Sequence, residues 1–337
     1  MPAEWEPHER TWLAFPPANA TFGDEGSATL DVARTTWASV ATTIARYEPV
    51  TLIARPGDGE RAQSIVGPGV NVVEHPINDA WIRDSGPTFT VDRQGELGAV
   101  NWVFNGWGAQ PWAAWDHDAR LGAEVAQRAS AAVRFSTLTN EGGGLHVDGA
   151  GTVLLTETVQ LDPQRNPDWT RDQVEAEIHA QLGTAHAIWL PRGLTRDYDE
   201  FGTRGHVDIV ATFVRSGLVA AHVQRDATHP DFEVSREIVA LLRASVDVTG
   251  RPLEVVEIPA PRELEADGTW ADYSYINHYV GNGFVLVGTF DDPADDVALE
   301  LLARLYPGRR VERANGRAIF AHGGGVHCIT QQQPRAS

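Results

Sequence analysis

The sequence predicts an α/β protein built from five similar units whose ends close a ring. Helix-spaced apolar segments alternate with short β-rich runs along the whole length, and most runs lead through a polar or glycine-bearing segment into a pair that reads as a hairpin. Short motifs also recur. His-Val-Asp occurs at 146–148 and 206–208, and three glycines followed two positions later by histidine occur at 142–146 and 323–327. Repetition over tens of residues marks an architecture whose units bury their apolar faces only against their neighbours.

The helices are predicted from 3.6-residue spacing. Leu30, Ala33, Trp37, Val40 and Ile44 share a face in 29–47; Trp169, Val174, Ile178 and Leu182 do so in 168–182. Val234, Ile238, Leu241 and Leu242 mark 233–246, and Val297, Leu301 and Leu305 mark 292–305. Each precedes a β-rich run: Val50 to Ala54, Ala187 to Leu190, Leu253 to Ile258 and Arg310 to Glu312. Hairpins are expected where turn residues separate two runs, pairing 87–92 with 97–104, 144–148 with 152–157, 206–214 with 217–223, and 274–280 with 284–289. With Asp84, Glu141, His206, Asn277 and Cys328 as markers, the repeat intervals are 57, 65, 71 and 51 residues. The last unit lacks a second hairpin strand, while residues 11–15 supply an orphan strand at the start, so the N-terminal strand is expected to close the ring. Residues 58–74 fit the scheme less well. Nothing in the composition suggests a linker, and residues 1–337 read as one domain.

Composition excludes several chemistries. All 27 basic residues are arginine, so no lysine is available for a Schiff base or for a phosphate loop ending in Lys-Ser or Lys-Thr. One cysteine forms neither an internal disulfide nor a multi-cysteine metal site. A net charge of −19 disfavours nucleic acid and favours small cations. No apolar run reaches the length of a membrane span, and the first residues lack a signal-peptide pattern. A cytoplasmic protein with no nucleic-acid or membrane partner is expected.

Cys328 follows a glycine run that lets a planar group approach closely, which suits a nucleophile; a small buried core residue is the alternative. His327 is a poor partner for it if 326–331 is a strand, because neighbours then face opposite ways. A strand through 205–208 would instead put His206 and Asp208 on one face, as in a carboxylate-oriented acid/base, a structural pair or a pair of metal ligands. His146 and Asp148 repeat that spacing, so a metallohydrolase using all four is a rival, opposed by the lack of a His-x-x-x-His pair. Asp84 and Glu141 break the hydrophobic pattern at equivalent places. With Asp208 they would bind a planar cation such as a guanidinium.

Trp-Ile-Arg83-Asp84-Ser-Gly-Pro, Glu141-Gly-Gly, Gly205-His206-Val-Asp208, Ser274-Tyr-Ile-Asn277 and Gly-Gly-Gly-Val-His-Cys328-Ile-Thr-Gln-Gln-Gln-Pro resemble, in order, the motif series of the agmatine deiminases and related bacterial peptidylarginine deiminases. Trp5, Phe104, Trp107 and Trp115 lie in supporting matches, so the resemblance spans the chain. It implies the pentein fold, a five-bladed α/β propeller with pseudo-fivefold repeats. It implies Cys328 as nucleophile, His206 as general acid/base, Asp84 and Asp208 as guanidinium carboxylates, and Glu141 as a further site carboxylate. Trp81, Asn277 and Trp107 would help to bind substrate. The implied reaction is hydrolysis of a guanidino group to a ureido group and ammonia through a thiouronium intermediate, with neither metal nor organic cofactor. The implied partner is a small cationic guanidino compound, agmatine first, and the resemblance suggests a homodimer.

The chain departs from the family at Arg204, where Thr-Asn-Gly or similar is usual, and at Gly144, where serine is common. Arg204 facing the site would receive a carboxylate, keeping arginine, a C-terminal peptidyl arginine or another guanidino acid open as substrate. Turned outward, it would pair with Asp197 or Asp199. A guanidino-binding protein without turnover is the remaining alternative.

Overall fold

The computed structural model describes residues 1–262 and 271–336, with sixteen strands in five sheets. β1 (His8–Ala14), β2 (Val50–Ala54) and β3 (Asn71–Glu74) belong to the first sheet. The next three sheets are β4 (Thr88–Val91), β5 (Leu97–Val103) and β6 (Ala132–Thr139); β7 (Leu145–Val147), β8 (Thr152–Thr156) and β9 (His186–Leu190); and β10 (Ala211–Arg215), β11 (Leu218–Val223) and β12 (Glu254–Pro259). The fifth holds β13 (Tyr279–Gly281), β14 (Phe284–Thr289) and β15 (Arg310–Asn315). β16 (Gln331–Pro334) leaves the fifth unit and pairs antiparallel with β1, so strands from the two ends of the sequence share the first sheet.

One pattern recurs in all five. An antiparallel pair is followed by a helix and then by a strand parallel to the second member of the pair. The connecting helices are Ala28–Ile44, Asp118–Arg128, Arg171–Leu182, Asp231–Ala244 and Asp295–Leu305. Local sequence explains their ends. Ser27 caps the first by accepting from Leu30 N; Thr170 and Gln173 form a reciprocal capping box, and Gly183 stops that helix in a left-handed conformation. Helix 28–44 buries Leu30, Trp37 and Ile44 completely, at roughly 1.5–3 kcal/mol per large apolar side chain.

Four expectations shift. Residues 58–74, which fitted poorly, form a helix at Gly59–Val66 and the extra strand β3. Helix Asp118–Arg128 and β6 complete a unit that had been read only as a hairpin. The strand expected from 206 begins at 211, and the one expected from 274 begins at 279. In both places a non-strand stretch delivers a marker side chain. Residues 326–329 are turns, with Thr330 Oγ1 donating to Val326 O, and β16 starts only at Gln331. Among the described residues no helix is long and apolar enough to cross a membrane.

Candidate active site

Asp84, Glu141, His206, Asn277 and Cys328 each lie a few residues before the first strand of an antiparallel pair. All five are buried, His206 at 1% exposure and Glu141 at 0%.

Asp84 sits in the short helix Ile82–Ser85. Its Oδ2 accepts from Trp107 Nε1 at 2.9 Å, and its Oδ1 accepts from Gly143 N at 3.0 Å. A Cβ on Gly143 would come within 2.4 Å of His206 Nδ1 and 3.0 Å of Asp84 Oδ1, so only glycine lets these two groups close. His206 precedes a 3₁₀ turn at Val207–Ile209 rather than lying in a strand. Arg204 and Gly205, at φ 67° and 115°, turn the chain just before it, and the buried Asp197 carboxylate accepts from the N–H groups of Thr203, Gly205 and His206.

Around the imidazole of His206, Nε2 donates to Glu141 Oε2 at 3.3 Å, and Nδ1 lies 3.8 Å from Asp84 Oδ1 without a hydrogen-bond partner. Burial opposes its charge, but Asp84, Glu141 and Asp208 outweigh burial and push its pKa up to about 9. At neutral pH it is an imidazolium. Glu141 is in turn gripped by Arg165, whose Nε contacts both carboxylate oxygens at 3.0 and 3.1 Å, whose Nη1 donates to Asp162 and whose Nη2 donates to Thr203 O. Burial alone would raise Glu141; Arg165 and His206 reverse that and hold it below its ordinary value.

Cys328 Sγ accepts from Asn277 Nδ2 at 3.3 Å and from Gly325 N at 3.4 Å, and it lies 3.7 Å from Asp208 Oδ2. Burial and the nearby Asp208 and Asp84 carboxylates raise the thiol well above its ordinary value. The resting sulfur is therefore protonated. Asp208 Oδ1 is buried without a partner, while Oδ2 accepts from His327 Nδ1 at 2.7 Å. A Cβ on Gly324 would press to 2.7 Å from Trp81 and 3.1 Å from Cys328 Sγ, which accounts for a glycine close to Cys328.

Trp81, Asp84, Trp107, Trp112, Phe201, Thr203, Gly323 and Cys328 enclose a cavity of about 10 Å³, the room of one water. Trp112 stacks on Trp107 at 5.2 Å and meets Phe201 at 5.0 Å, forming an aromatic wall opposite the sulfur.

Several expectations meet a different geometry. Arg204 neither alternates onto the face of His206 nor pairs with Asp197 or Asp199 through its side chain. Its left-handed backbone swings the guanidinium to Asp162 and Gly108 O, each at 3.4 Å, and to Gln110 Oε1 at 3.5 Å. Asn277 contacts the sulfur and accepts from His327 N, so it braces the 327–328 segment. His327, set aside on the premise of a strand, reaches Asp208 because its segment is a turn. The set His146, Asp148, His206 and Asp208 is not a metal cluster among the described residues. His146 bonds Thr212 and Phe213, and Asp148 caps the turn at Ala150 and Thr152. The ligand-bearing group that does gather is Glu4, His146 and His327. There His327 Nε2 is hydrogen-bonded to Glu4, and the Arg83 guanidinium, 3.9 Å from Glu4, disfavours a cation. Glu4, Arg165 and His327 are the residues that sequence reasoning missed. Two lie in segments read as termini or loops, and the third was beside the nucleophile but aimed by the wrong secondary structure.

The chain belongs to the family of Porphyromonas-type peptidyl-arginine deiminases, which it matches over residues 1–334. Within that family it is 58% identical over 337 residues to a Streptomyces avermitilis protein provisionally named an agmatine deiminase, with 99% of this chain and 97% of that one covered. It is 37% identical to the agmatine deiminase of Pseudomonas aeruginosa, covering 99% and 95%. The solved agmatine deiminase of Enterococcus faecalis superposes with a TM-score of 0.92 at 29% identity, covering 99% of this chain and 95% of that chain.

Proposed function

We propose that this protein is an agmatine deiminase, a hydrolase of linear amidines that converts agmatine and water to N-carbamoylputrescine and ammonia. One observation carries the reading most strongly: the lone cysteine and Asp84 line one small cavity, His206 faces Asp84 at 3.8 Å, and Asp208, 3.7 Å from the sulfur, keeps an oxygen unpartnered. In this reading the five sheets are the blades of a single-domain propeller whose ring is closed by β1 and β16. Asp208 and Asp84 receive the guanidinium nitrogens and hold its central carbon near Cys328. The bound cation offsets both carboxylates, so the thiol gives up its proton, to solvent, only when substrate is present. The thiolate attacks the central carbon, and His206 donates its proton to the departing ammonia. A thiouronium on Cys328 is left. Neutral His206 then takes one proton from water as it attacks, and on collapse the hydroxyl proton of the adduct passes to the departing sulfur, releasing the ureido product and restoring the thiol.

Agmatine is favoured over a guanidino acid because Arg204, the residue that would have met a carboxylate, is committed to Asp162. Entry requires the wall of Trp112 and Phe201 to open. Assembly as a homodimer belongs to the same reading and is checked by light scattering. Ammonia release from agmatine tests the function: Cys328→Ser should lose more than about 10³-fold in kcat/KM, and full activity in that variant would sink the proposal.

A further inference from the structure

His327 lies between two carboxylates. Its Nδ1 is 2.7 Å from Asp208 Oδ2, and its Nε2 is 2.8 Å from Glu4 Oε2. An ionised carboxylate only accepts hydrogen bonds, whereas a neutral imidazole has one donor and one acceptor nitrogen. Both contacts are hydrogen bonds only if both ring nitrogens carry protons. Glu4 is fixed independently, because its other oxygen accepts from Val280 N at 2.8 Å. The remaining groups facing His327 come from four places in the fold. Arg83 donates through Nε to His327 O and lies 3.9 Å from Glu4. His146 has its ring centroid 6.2 Å away, and burial keeps it neutral, with a pKa near 3. His278, buried and lowered to about 4, is also neutral, and Cys328 is the adjoining thiol.

We propose that Glu4, remote from the reacting atoms, is a positioning residue for deimination: its carboxylate holds His327 as an imidazolium, and His327 fixes Asp208 with Oδ1 free for the guanidinium. The proposal rests on the deiminase reading above. Without the charge on Glu4, His327 gives up its proton more readily. Asp208 then loses its counter-ion, which both loosens its orientation and leaves it to compete for the thiol proton 3.7 Å away. Substrate binding suffers before chemistry does.

The sign follows from the charge. The imidazolium exists below the pKa of His327 and is lost above it, so removing Glu4 brings that loss to lower pH. Glu4→Gln is expected to raise KM for agmatine by about 10-fold with kcat within about threefold, and to move the alkaline limb of kcat/KM down by about one pH unit. Glu4→Asp, which keeps the charge, should recover part of the profile. Ring-¹⁵N histidine spectra of the full wild-type chain, with His327 assigned from His327→Gln, should show both nitrogens protonated at pH 7.

A neutral His327 in the wild type overturns the proposal, and this needs no variant to fold. So does a Glu4→Gln enzyme with an unchanged KM and pH profile. Failure of the wild type to release ammonia from agmatine would instead refute the deiminase reading, an outcome separate from the spectra.

Discussion

Two sides of the site solve the same problem with different chemistry. On one, Glu141 is buried between His206 and Arg165; on the other, Asp208 is buried between Cys328 and His327. Each carboxylate needs a cation behind it, because a buried lone charge costs several kcal/mol. Glu141 is backed by a guanidinium that never deprotonates in the working range, and Asp208 by an imidazole that can. The support behind Glu141 is therefore electrostatically fixed. The support behind Asp208 titrates, whereas the one behind Glu141 does not.

The largest effect should come from breaking the fixed side. Glu141→Gln leaves Arg165 with only Asp162 as a charged partner and costs about 3–5 kcal/mol of stability. His206 also loses a facing carboxylate, so its proton leaves below the wild-type value of about 9. Because its folded pKa is raised, His206 contributes stability that is full below its unfolded pKa and lost as pH rises through about 9. The variant should shed that contribution. Thermal unfolding at several pH values and the alkaline limb of kcat/KM measure both effects.

Asp208→Asn tests the other side with an unusual pair of outcomes. If Asp208 receives the guanidinium as proposed, KM for agmatine should rise by about 10-fold or more. The free thiol should become easier to ionise, because one of the carboxylates raising it is gone, so iodoacetamide should label Cys328 faster at neutral pH. Unchanged labelling would show that burial, and not the Asp208 charge, controls the thiol.

The smallest effect is expected at Arg204. It lies on the outer end of the Arg165 and Asp162 chain, with contacts of 3.4–3.5 Å. Arg204→Asn should change kcat/KM for agmatine by less than about threefold and should not alter the ratio of agmatine to arginine turnover. A shifted ratio would return Arg204 to the substrate pocket.

Much of this was legible in the sequence, for identifiable reasons. Helix 28–44 and hairpins such as β7–β8 carry strong periodicity and glycine turns, so their positions follow from local pattern. Helix 118–128 does not: charged residues interrupt its apolar positions, and its neighbour β6 leaves Phe135 70% exposed, which blurs the alternation. In the site, the five markers were readable because each interrupts a hydrophobic run at a repeated place. Their supports were not. Arg165 meets Glu141 from a polar loop 24 residues on, and Glu4 meets His327 from 323 residues away. No local pattern encodes such pairs. The placement of His206 and Cys328 on turns rather than strands depends on the positive φ angles of Arg204 and Gly205 and on Thr330 closing back on Val326.

The pairing of β1 with β16 has a consequence for the order of folding. His8 pairs with Pro334 and Trp12 with Gln331, contacts that join the two ends of the sequence. Such contacts form late, because loop-closure entropy must be met before they give any return. Cys328 lies three residues before β16, and Glu4 four before β1. During synthesis at the ribosome, the carboxylates and His206 emerge well before the sulfur. A nascent chain can thus fold its middle sheets before Cys328 is in place, and onset of thiol-dependent turnover would time the docking of the final strand.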